Sequence, residues 1–424
     1  MLTRKLLACL LVLLSMFSTS LSQTGYYKLE YELVESELSV SSCPKQMSGV
    51  VDVPTSARLN GQEYPVTGIG SCLFCHAFRD CRGITEVRLP SGIKKIGMDA
   101  FSGCVRMKKI NIPTSVVDIG FGAFSGCESL TTVDIPQGIA DISPQLFKGC
   151  KNLKSVSLPF TVKKIEDDAF KDCFSLMDIQ IPQFVTEILS EAFKNCSSLT
   201  KIELPSTLNK IGEKAFEGCT GIMEIVIPSS VGYIWTGAFS QCINLKRVDL
   251  KNCKFGGGNG MFEGCEALEN VENLNLSVIP SNMFRNCKSL KNISLGVEVS
   301  CVYPDAFVGS SIEVLNVPAS VNSGLEYAKC FNDWKCLKKI VIDSSNKKYC
   351  SVDGVLYNKN KTKLLRFPVG KKVDEFVLPE TVKEIEDYAF AGCQELRTLI
   401  LPKNFSAFGP NSFIDCPNLN IVFK

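Results

Sequence analysis

Histidine is almost missing from this 424-residue chain, and His76 is the single one. Catalysis by a Ser-His-Asp or Cys-His arrangement would therefore have to use His76, and nothing around it suggests a triad. The motifs H-E-x-x-H and G-x-S-x-G do not occur, and the glycine run at 255–260 lacks the lysine of a phosphate-binding loop. We therefore expect no catalytic residues, no cofactor and no enzymatic activity.

The chain also lacks a charge bias and a membrane-spanning apolar run. Lys plus Arg is 46 and Asp plus Glu is 44, so no basic face for nucleic acid is expected. The longest apolar run, residues 6–17, is too short to span a bilayer and follows Arg4 and Lys5. Small residues come next, which predicts a signal peptide over 1–22 and a secreted or cell-surface location without a transmembrane segment.

Cysteine, by contrast, is abundant and periodic. The chain has 21 cysteines, and nine of them follow one another at steps of 23 residues. We call these nine the ladder cysteines: Cys81, Cys104, Cys127, Cys150, Cys173, Cys196, Cys219, Cys242 and Cys265. A fixed period of this length indicates a solenoid, in which one structural unit is stacked repeatedly.

The repeated unit reads A-F-x-x-C-x-x-L-x-x-I-x-L-P-x-x-V-x-x-I-G-x-x. Its I-x-L alternation predicts a short strand, which proline ends because proline cannot donate to a ladder. V-x-x-I predicts a second short extended piece, and A-F-x-x-C predicts a tight turn, taken as one turn of helix. The expected fold is a β-rich curved right-handed coil with short parallel strands and short helical turns.

The cysteine count first suggests a disulfide framework in an exported protein. Equivalent side chains in stacked coils point the same way, however, and not at each other. We therefore expect the ladder cysteines to be free thiols packed in the core. Outside the ladder, Cys330 and Cys336 flank Trp334 and are a candidate disulfide.

These units resemble the BspA-like, or treponemal-type, leucine-rich repeats. The resemblance rests on A-F-x-x-C, L-x-x-I-x-L-P and V-x-x-I at the 23-residue period. It implies a leucine-rich-repeat solenoid on a surface protein that adheres to host matrix proteins or to other cells. After the signal peptide, the expected organisation is a β cap over 23–66, repeats over 67–318, an irregular insert with a β-hairpin over 319–372, and repeats over 373–424.

The segment Cys72-x-x-Cys75-His76 has the spacing of a c-type haem attachment site. The repeat gives a plainer explanation, since either Leu73-Phe74 or Ala77-Phe78 can fill the Ala-Phe positions of the first unit. A coil interior is too small for haem, and four zinc ligands are not evident. We expect neither metal nor haem here, and a local disulfide using Cys72, Cys75 or Cys43 is a candidate.

The outward strand positions are the candidate binding surface. We call this set the outer strand row: Arg88, Asn111, Asp134, Ser157, Gln180, Glu203, Val226, Asp249, Glu272 and Ser294. Solenoids use such rows as concave binding faces. The candidate binding residues are Asp134, Gln180, Glu203, Asp249 and Glu272. The expected partner is an extracellular protein of a host matrix or cell surface, or a polysaccharide. The alternative function is a glycan- or nutrient-binding component of an envelope uptake system.

Overall fold

The computed structural model describes residues 29–72, 75–251, 253, 256–326 and 334–424. The predicted signal peptide lies outside these residues. Among the residues that are described, no helix is long and apolar enough to cross a membrane. The chain divides into two compact units, one reaching Ile179 and the other running from Gln180 to Lys424.

The first unit begins with a strand-rich segment that leads into the coils. Here Glu30–Val34 pairs antiparallel with Glu37–Ser42, and Glu37–Ser42 pairs in parallel with Gln62–Ile69. The sheet continues through Lys95–Ile96 and Asp118–Ile119. A second parallel ladder contains Ser48–Asp52, Gly83–Arg88 and Lys109–Asn111. The strands are β1 (Glu30–Val34), β2 (Glu37–Ser42), β3 (Ser48–Asp52), β4 (Ser56–Leu59), β5 (Gln62–Ile69), β6 (Gly83–Arg88), β7 (Lys95–Ile96), β8 (Lys109–Asn111), β9 (Asp118–Ile119), β10 (Thr132–Asp134), β11 (Asp141–Ile142), β12 (Ser155–Ser157) and β13 (Lys164–Ile165).

The second unit is built from coils of the same kind and contains a 3-10 helix at Pro304–Phe307. Its strands are β14 (Glu187–Ile188), β15 (Lys210–Ile211), β16 (Glu224–Val226), β17 (Tyr233–Ile234), β18 (Arg247–Asp249), β19 (Gly256–Gly257), β20 (Asn270–Glu272), β21 (Val278–Ile279), β22 (Cys301–Val302), β23 (Val314–Val317), β24 (Lys339–Ile342), β25 (Tyr349–Val352), β26 (Val355–Asn358), β27 (Lys363–Arg366), β28 (Glu375–Val377), β29 (Glu384–Ile385), β30 (Thr398–Leu401), β31 (Ala407–Phe408) and β32 (Asn420–Phe423).

Regular coils of the first unit carry two short parallel ladders, as the sequence predicts. In the first unit Val133 of β10 lies opposite Val156 of β12, and Ile142 of β11 lies opposite Ile165 of β13. Each pair is 23 residues apart, so one turn of the coil advances the chain by one strand. The paired apolar residues are buried. The inward and outward faces of the solenoid therefore follow directly from the repeat.

Phenylalanine fills the interior of both units. Phe78, Phe101, Phe124, Phe147 and Phe170 are completely buried, and neighbouring rings stack with centroids 5.2–5.6 Å apart. In the second unit the same stacking joins the rings from Phe193 to Phe307 at 5.1–5.8 Å. Stacked rings bury large apolar area with little strain. Stacked aromatic rings thus form the centre of the regular coils in both units.

The A-F-x-x-C segments form hydrogen-bonded turns, and the expectation of a helical turn in each unit is wrong. The amide of Phe101 donates to the carbonyl of Ala123 in the next coil at 2.8 Å, and Phe147 donates to Ala169 at the same distance. A helix would need these amides for bonds within its own segment. Because these backbone amides donate to the next coil instead, 3-10 geometry appears among the described residues only at Pro304–Phe307.

The ladder cysteines are buried free thiols, as expected. Their sulfurs also have a specific partner, because the Cys127 thiol donates to the Phe101 carbonyl at 3.2 Å and the Cys150 thiol to the Phe124 carbonyl at 3.1 Å. The same bond recurs in the second unit, where Cys219 donates to Phe193 at 3.0 Å. The thiol is small enough for the core and still satisfies a buried carbonyl.

The regular coil is interrupted in the second unit by three antiparallel strands. β25 pairs with β26, and β26 pairs with β27 across the polar turn after Asn358, which is the hairpin that the sequence predicts. Arg366 of β27 is fully buried and replaces the alanine of the repeat. Its guanidinium donates to the carbonyls of Tyr388 and Ala391, so it holds the insert to the following coil.

Candidate binding surface

In the first unit the outer strand row is polar and exposed. Asp134 ends β10 beside Ser157 of β12, and both side chains point away from the buried valines of the same strands. Period-two alternation places them outside because Val133 and Val156 face the core. Arg88 of β6 forms an ion pair with Glu86, 2.9 Å apart, so this part of the row carries both signs of charge.

In the second unit Gln180 and Glu203 are exposed. A hydrogen bond from the Lys201 ammonium lowers the pKa of Glu203 below its ordinary value. The two charged groups are 2.6 Å apart and both are open to solvent, so the pair adds little stability and leaves the carboxylate available to a partner. Glu203 therefore remains a candidate binding residue.

Asp249 is placed differently from the sequence expectation. Its residue is only 7% exposed, and its carboxylate accepts hydrogen bonds from the Asn273 amide at 2.7 Å and the Lys251 backbone N–H at 2.9 Å. Burial raises its pKa, but these bonds and the Lys251 ammonium outweigh burial and lower the pKa overall. Asp249 thus closes the end of β18 and is not an open binding group.

Glu272 lies beside Asp249 in the register and is partly buried. Its carboxylate accepts from Arg247 at 3.0 Å and from the Asn270 amide at 2.9 Å. Arg247 and Glu272 sit on the adjacent strands β18 and β20. Their pairing makes a mixed-charge surface, in which a ligand would meet both signs of charge.

Two exposed aromatic residues on the other ladder were not selected from the sequence as binding residues. Tyr233 and Trp235 are 63% and 52% exposed and alternate with buried Ile234. Tyr233 pairs with Gly256 of β19, so no side chain stands beside its ring on that strand. The signal was present in the sequence, since Tyr-x-Trp replaces the usual charged and glycine positions of the V-x-x-I-G segment.

A glycine of the next coil also lies against the backbone of Trp235. A side chain at Gly258 would put its Cβ 2.3 Å from the backbone carbon of Trp235, so that position stays bare. On the preceding strand, the Lys210 ammonium lies 5.9 Å from the centre of the Trp235 ring. Tyr233 and Trp235 therefore form an open aromatic surface with one cation at its edge, which we call the aromatic pair.

The family model for a BspA-type leucine-rich repeat region matches this sequence with six copies, over residues 73–200, 186–275, 258–369 and 366–423. Together these segments cover most of the chain. The chain belongs to the BspA-type leucine-rich repeat family. No curated protein matches it.

Solved structures of leucine-rich repeat proteins are similar to this one. A leucine-rich repeat protein from Bacteroides ovatus is 23% identical, covers 94% of both chains and has a TM-score of 0.58, which supports the fold. The T. pallidum leucine-rich repeat protein is 28% identical over 46% of this chain and 87% of its own, with a TM-score of 0.41. A leucine-rich cell surface protein from Faecalibacterium prausnitzii is 19% identical over 97% and 96%, with a TM-score of 0.42.

The first coil of this BspA-type protein resolves the two alternatives left by the sequence. Ala77 and Phe78 are buried, and Phe78 stacks on Phe101 at 5.2 Å, so they occupy the Ala-Phe positions. Cys72 and Cys75 form a disulfide just before them, and Cys43 is a buried free thiol. The candidate local disulfide therefore uses the two cysteines of the Cys-x-x-Cys segment.

The other candidate disulfide of this BspA-type protein stays a prediction. Cys330 lies outside the described residues, and Cys336 is exposed. Trp334 between them is buried and packs edge-on against Phe307, with ring centroids 5.1 Å apart. The tryptophan therefore closes the phenylalanine column ahead of the antiparallel strands β25, β26 and β27.

Proposed function

We propose that this protein is an exported, non-enzymatic scaffold that binds an extracellular protein of a host matrix or cell surface. The outer strand row carries this proposal, because it offers exposed charged and polar groups in both units, such as Asp134 in the first unit and Glu203 in the second. A partner with repeated polar groups can meet several of them at once. The BspA-type repeat and the predicted signal peptide support an extracellular role, and adhesion is the use we favour.

Solid-phase binding of the mature chain, residues 23–424, to matrix proteins tests the proposal. If Asp134 and Glu203 contact the partner, Asp134→Ala and Glu203→Ala should each weaken binding at least about fivefold, since an interface hot spot is worth more than 1 kcal/mol. Asp141→Ala and Glu213→Ala are matched controls, because both residues are exposed but lie away from the outer strand row. Equal affinity in all four variants would contradict the assignment of this surface.

The aromatic pair supports a second candidate function, the binding of a polysaccharide. Sugar rings present flat C–H faces that stack on exposed aromatic rings, and the glycines of β19 leave room beside Tyr233. The Lys210 ammonium can donate hydrogen bonds to sugar hydroxyls. This function corresponds to glycan capture for uptake at the cell envelope.

Tyr233→Ala and Trp235→Ala should each lower polysaccharide affinity by about two- to tenfold, which corresponds to the loss of one aromatic contact. Phe184→Ala is the control, because Phe184 is 60% exposed in the same unit but lies outside the aromatic pair. Affinity electrophoresis against a panel of polysaccharides measures the change. A loss in the Phe184 variant as large as in the other two would show that general surface hydrophobicity explains the binding.

A further inference from the structure

Three metal-ligating side chains converge where β1 meets the segment before the first coil. The carboxylate Oε2 of Glu32 lies 3.2 Å from Sγ of Cys75. The ligand atoms of Glu32, Cys72 and Cys75 all lie within 4.8 Å of one another. Neighbouring ligands of a tetrahedral zinc ion are about 3.3–3.8 Å apart at normal bond lengths. In this structure the sulfurs of Cys72 and Cys75 are bonded to each other, so a cation can enter the cluster only after the disulfide is reduced and the two sulfurs separate.

The surrounding backbone builds this cluster. Ser39 lies opposite Glu32 in the pairing of β1 with β2, and its hydroxyl accepts from the backbone N–H of Ser71 at 3.0 Å. This hydrogen bond fixes the position of Ser71, which is the residue directly before Cys72. Gly68 permits this contact, because a Cβ there would lie 2.1 Å from the Ser71 hydroxyl and 2.9 Å from the Ser39 hydroxyl.

The far end of the Cys-x-x-Cys segment is fixed as well. The amide of Cys75 donates to the carbonyl of Cys72 at 3.2 Å, and the sulfurs of these two residues are bonded to each other. Two residues later, Ala77 forms a parallel bridge with Ser42 at the end of β2. The residues on both sides of the Cys-x-x-Cys segment, Ser71 and Ala77, are therefore tied to the β1–β2 pair that carries Glu32.

The position of Glu32 suits reduced cysteines better than the disulfide. A disulfide sulfur carries no proton, so it offers nothing to a carboxylate oxygen 3.2 Å away. Two thiolates and a carboxylate around one divalent cation would satisfy all three groups. Cysteine sulfur and carboxylate oxygen are both established zinc ligand types.

We propose that Glu32, Cys72 and Cys75 form a zinc site in the reduced protein, and that the Cys72–Cys75 disulfide closes it. Both thiols lose their protons when zinc binds. Water fills the fourth tetrahedral position, as it does in other zinc sites that have three protein ligands. When an oxidised small-molecule disulfide accepts two electrons from the two thiolates, the S–S bond forms, two small-molecule thiols are released after taking up two protons, and the zinc ion leaves.

The test uses the mature chain, reduced and then dialysed with zinc or cobalt. We expect one metal ion per chain and, with cobalt, the thiolate charge-transfer absorption of a tetrahedral site. Glu32→Gln should weaken zinc binding at least about tenfold, as expected for a lost ligand or ligand partner. Cys72→Ser with Cys75→Ser should abolish it. Cys350→Ser is the control, because Cys350 is a partly exposed free thiol elsewhere in the chain and should not matter.

Oxidised glutathione should then release the zinc as the disulfide forms, with one ion freed per disulfide. Glu32→Gln keeps both cysteines and changes an exposed side chain, so it remains informative even if the double cysteine variant does not fold. The proposal is overturned if the reduced protein binds no stoichiometric metal. It is equally overturned if Glu32→Gln binds zinc as tightly as the natural chain, or if the oxidised protein retains the ion.

Discussion

Replacing Phe147 with alanine should lower the free energy of unfolding of the first unit by about 3–5 kcal/mol. Its ring is fully buried between Phe124 and Phe170, with centroids 5.6 and 5.5 Å away, so its removal leaves a cavity and breaks two stacking contacts. Backbone hydrogen bonds join this turn to the coils on both sides, so those coils cannot move into the cavity that the missing ring leaves. Urea unfolding followed by circular dichroism measures the loss.

Phe160→Ala is the matched control for that experiment. Phe160 lies in the same unit, but 64% of it is exposed. Its loss should change the free energy of unfolding by no more than about 0.5 kcal/mol, as for most surface substitutions. Similar losses in the two variants would contradict the conclusion that the phenylalanine column forms the core.

Raising the pH from about 8 to about 10 should destabilise the folded chain steeply, because unfolded cysteine ionises near pH 8.5 while the buried thiols do not. Burial raises the pKa of Cys104 and Cys150 to about 12 in the first unit, and that of Cys242 and Cys393 to about 12 in the second. A raised thiol pKa gives stability that is complete below the unfolded pKa. That stability is lost as the pH rises towards the folded pKa, since only the unfolded chain releases the protons.

Each such thiol contributes a slope of about 1.4 kcal/mol per pH unit once the unfolded thiol is ionised, and four of them give roughly 5 kcal/mol per pH unit. Urea midpoints measured between about pH 7 and about pH 9.5 give the dependence of the unfolding free energy on pH while most lysines and tyrosines stay protonated. The double variant Cys150→Ala, Cys242→Ala should reduce the slope of the unfolding free energy against pH by about 3 kcal/mol per pH unit. An unchanged slope in that variant would mean that the thiols ionise equally well in the folded chain.

The repeat made the coil predictable because its signals are local and recur. A step of 23 residues places Cys127 and Cys150 in equivalent positions, and their burial as free thiols follows from stacking. The helical turns were predicted wrongly because A-F-x-x-C specifies a compact turn without showing where its amides donate. Bonds such as that from Phe101 to Ala123 exist only once a second coil is present.

The candidate site was less predictable because it depends on contacts outside the repeat pattern. Asp249 occupies an outward position, but Asn273 stands where other coils have an apolar residue, and its amide reaches back to the Asp249 carboxylate. Glu32 lies in a segment without any repeat, so its distance to Cys75 could not be obtained from spacing. The pairing of β1 with β2 and the hydrogen bond that anchors Ser71 are tertiary contacts, which sequence spacing does not reveal.

The phenylalanine column and the thiol bonds connect each coil to its immediate neighbours at fixed positions. Cys150 donates to Phe124, and Phe124 stacks on Phe147, so each contact spans one coil and no more. A deletion or duplication of one whole 23-residue unit would restore every such contact at the new junction. Recombination between repeats in the gene can therefore lengthen or shorten this protein in steps of one strand spacing, and the number of coils is free to vary while the packing stays the same.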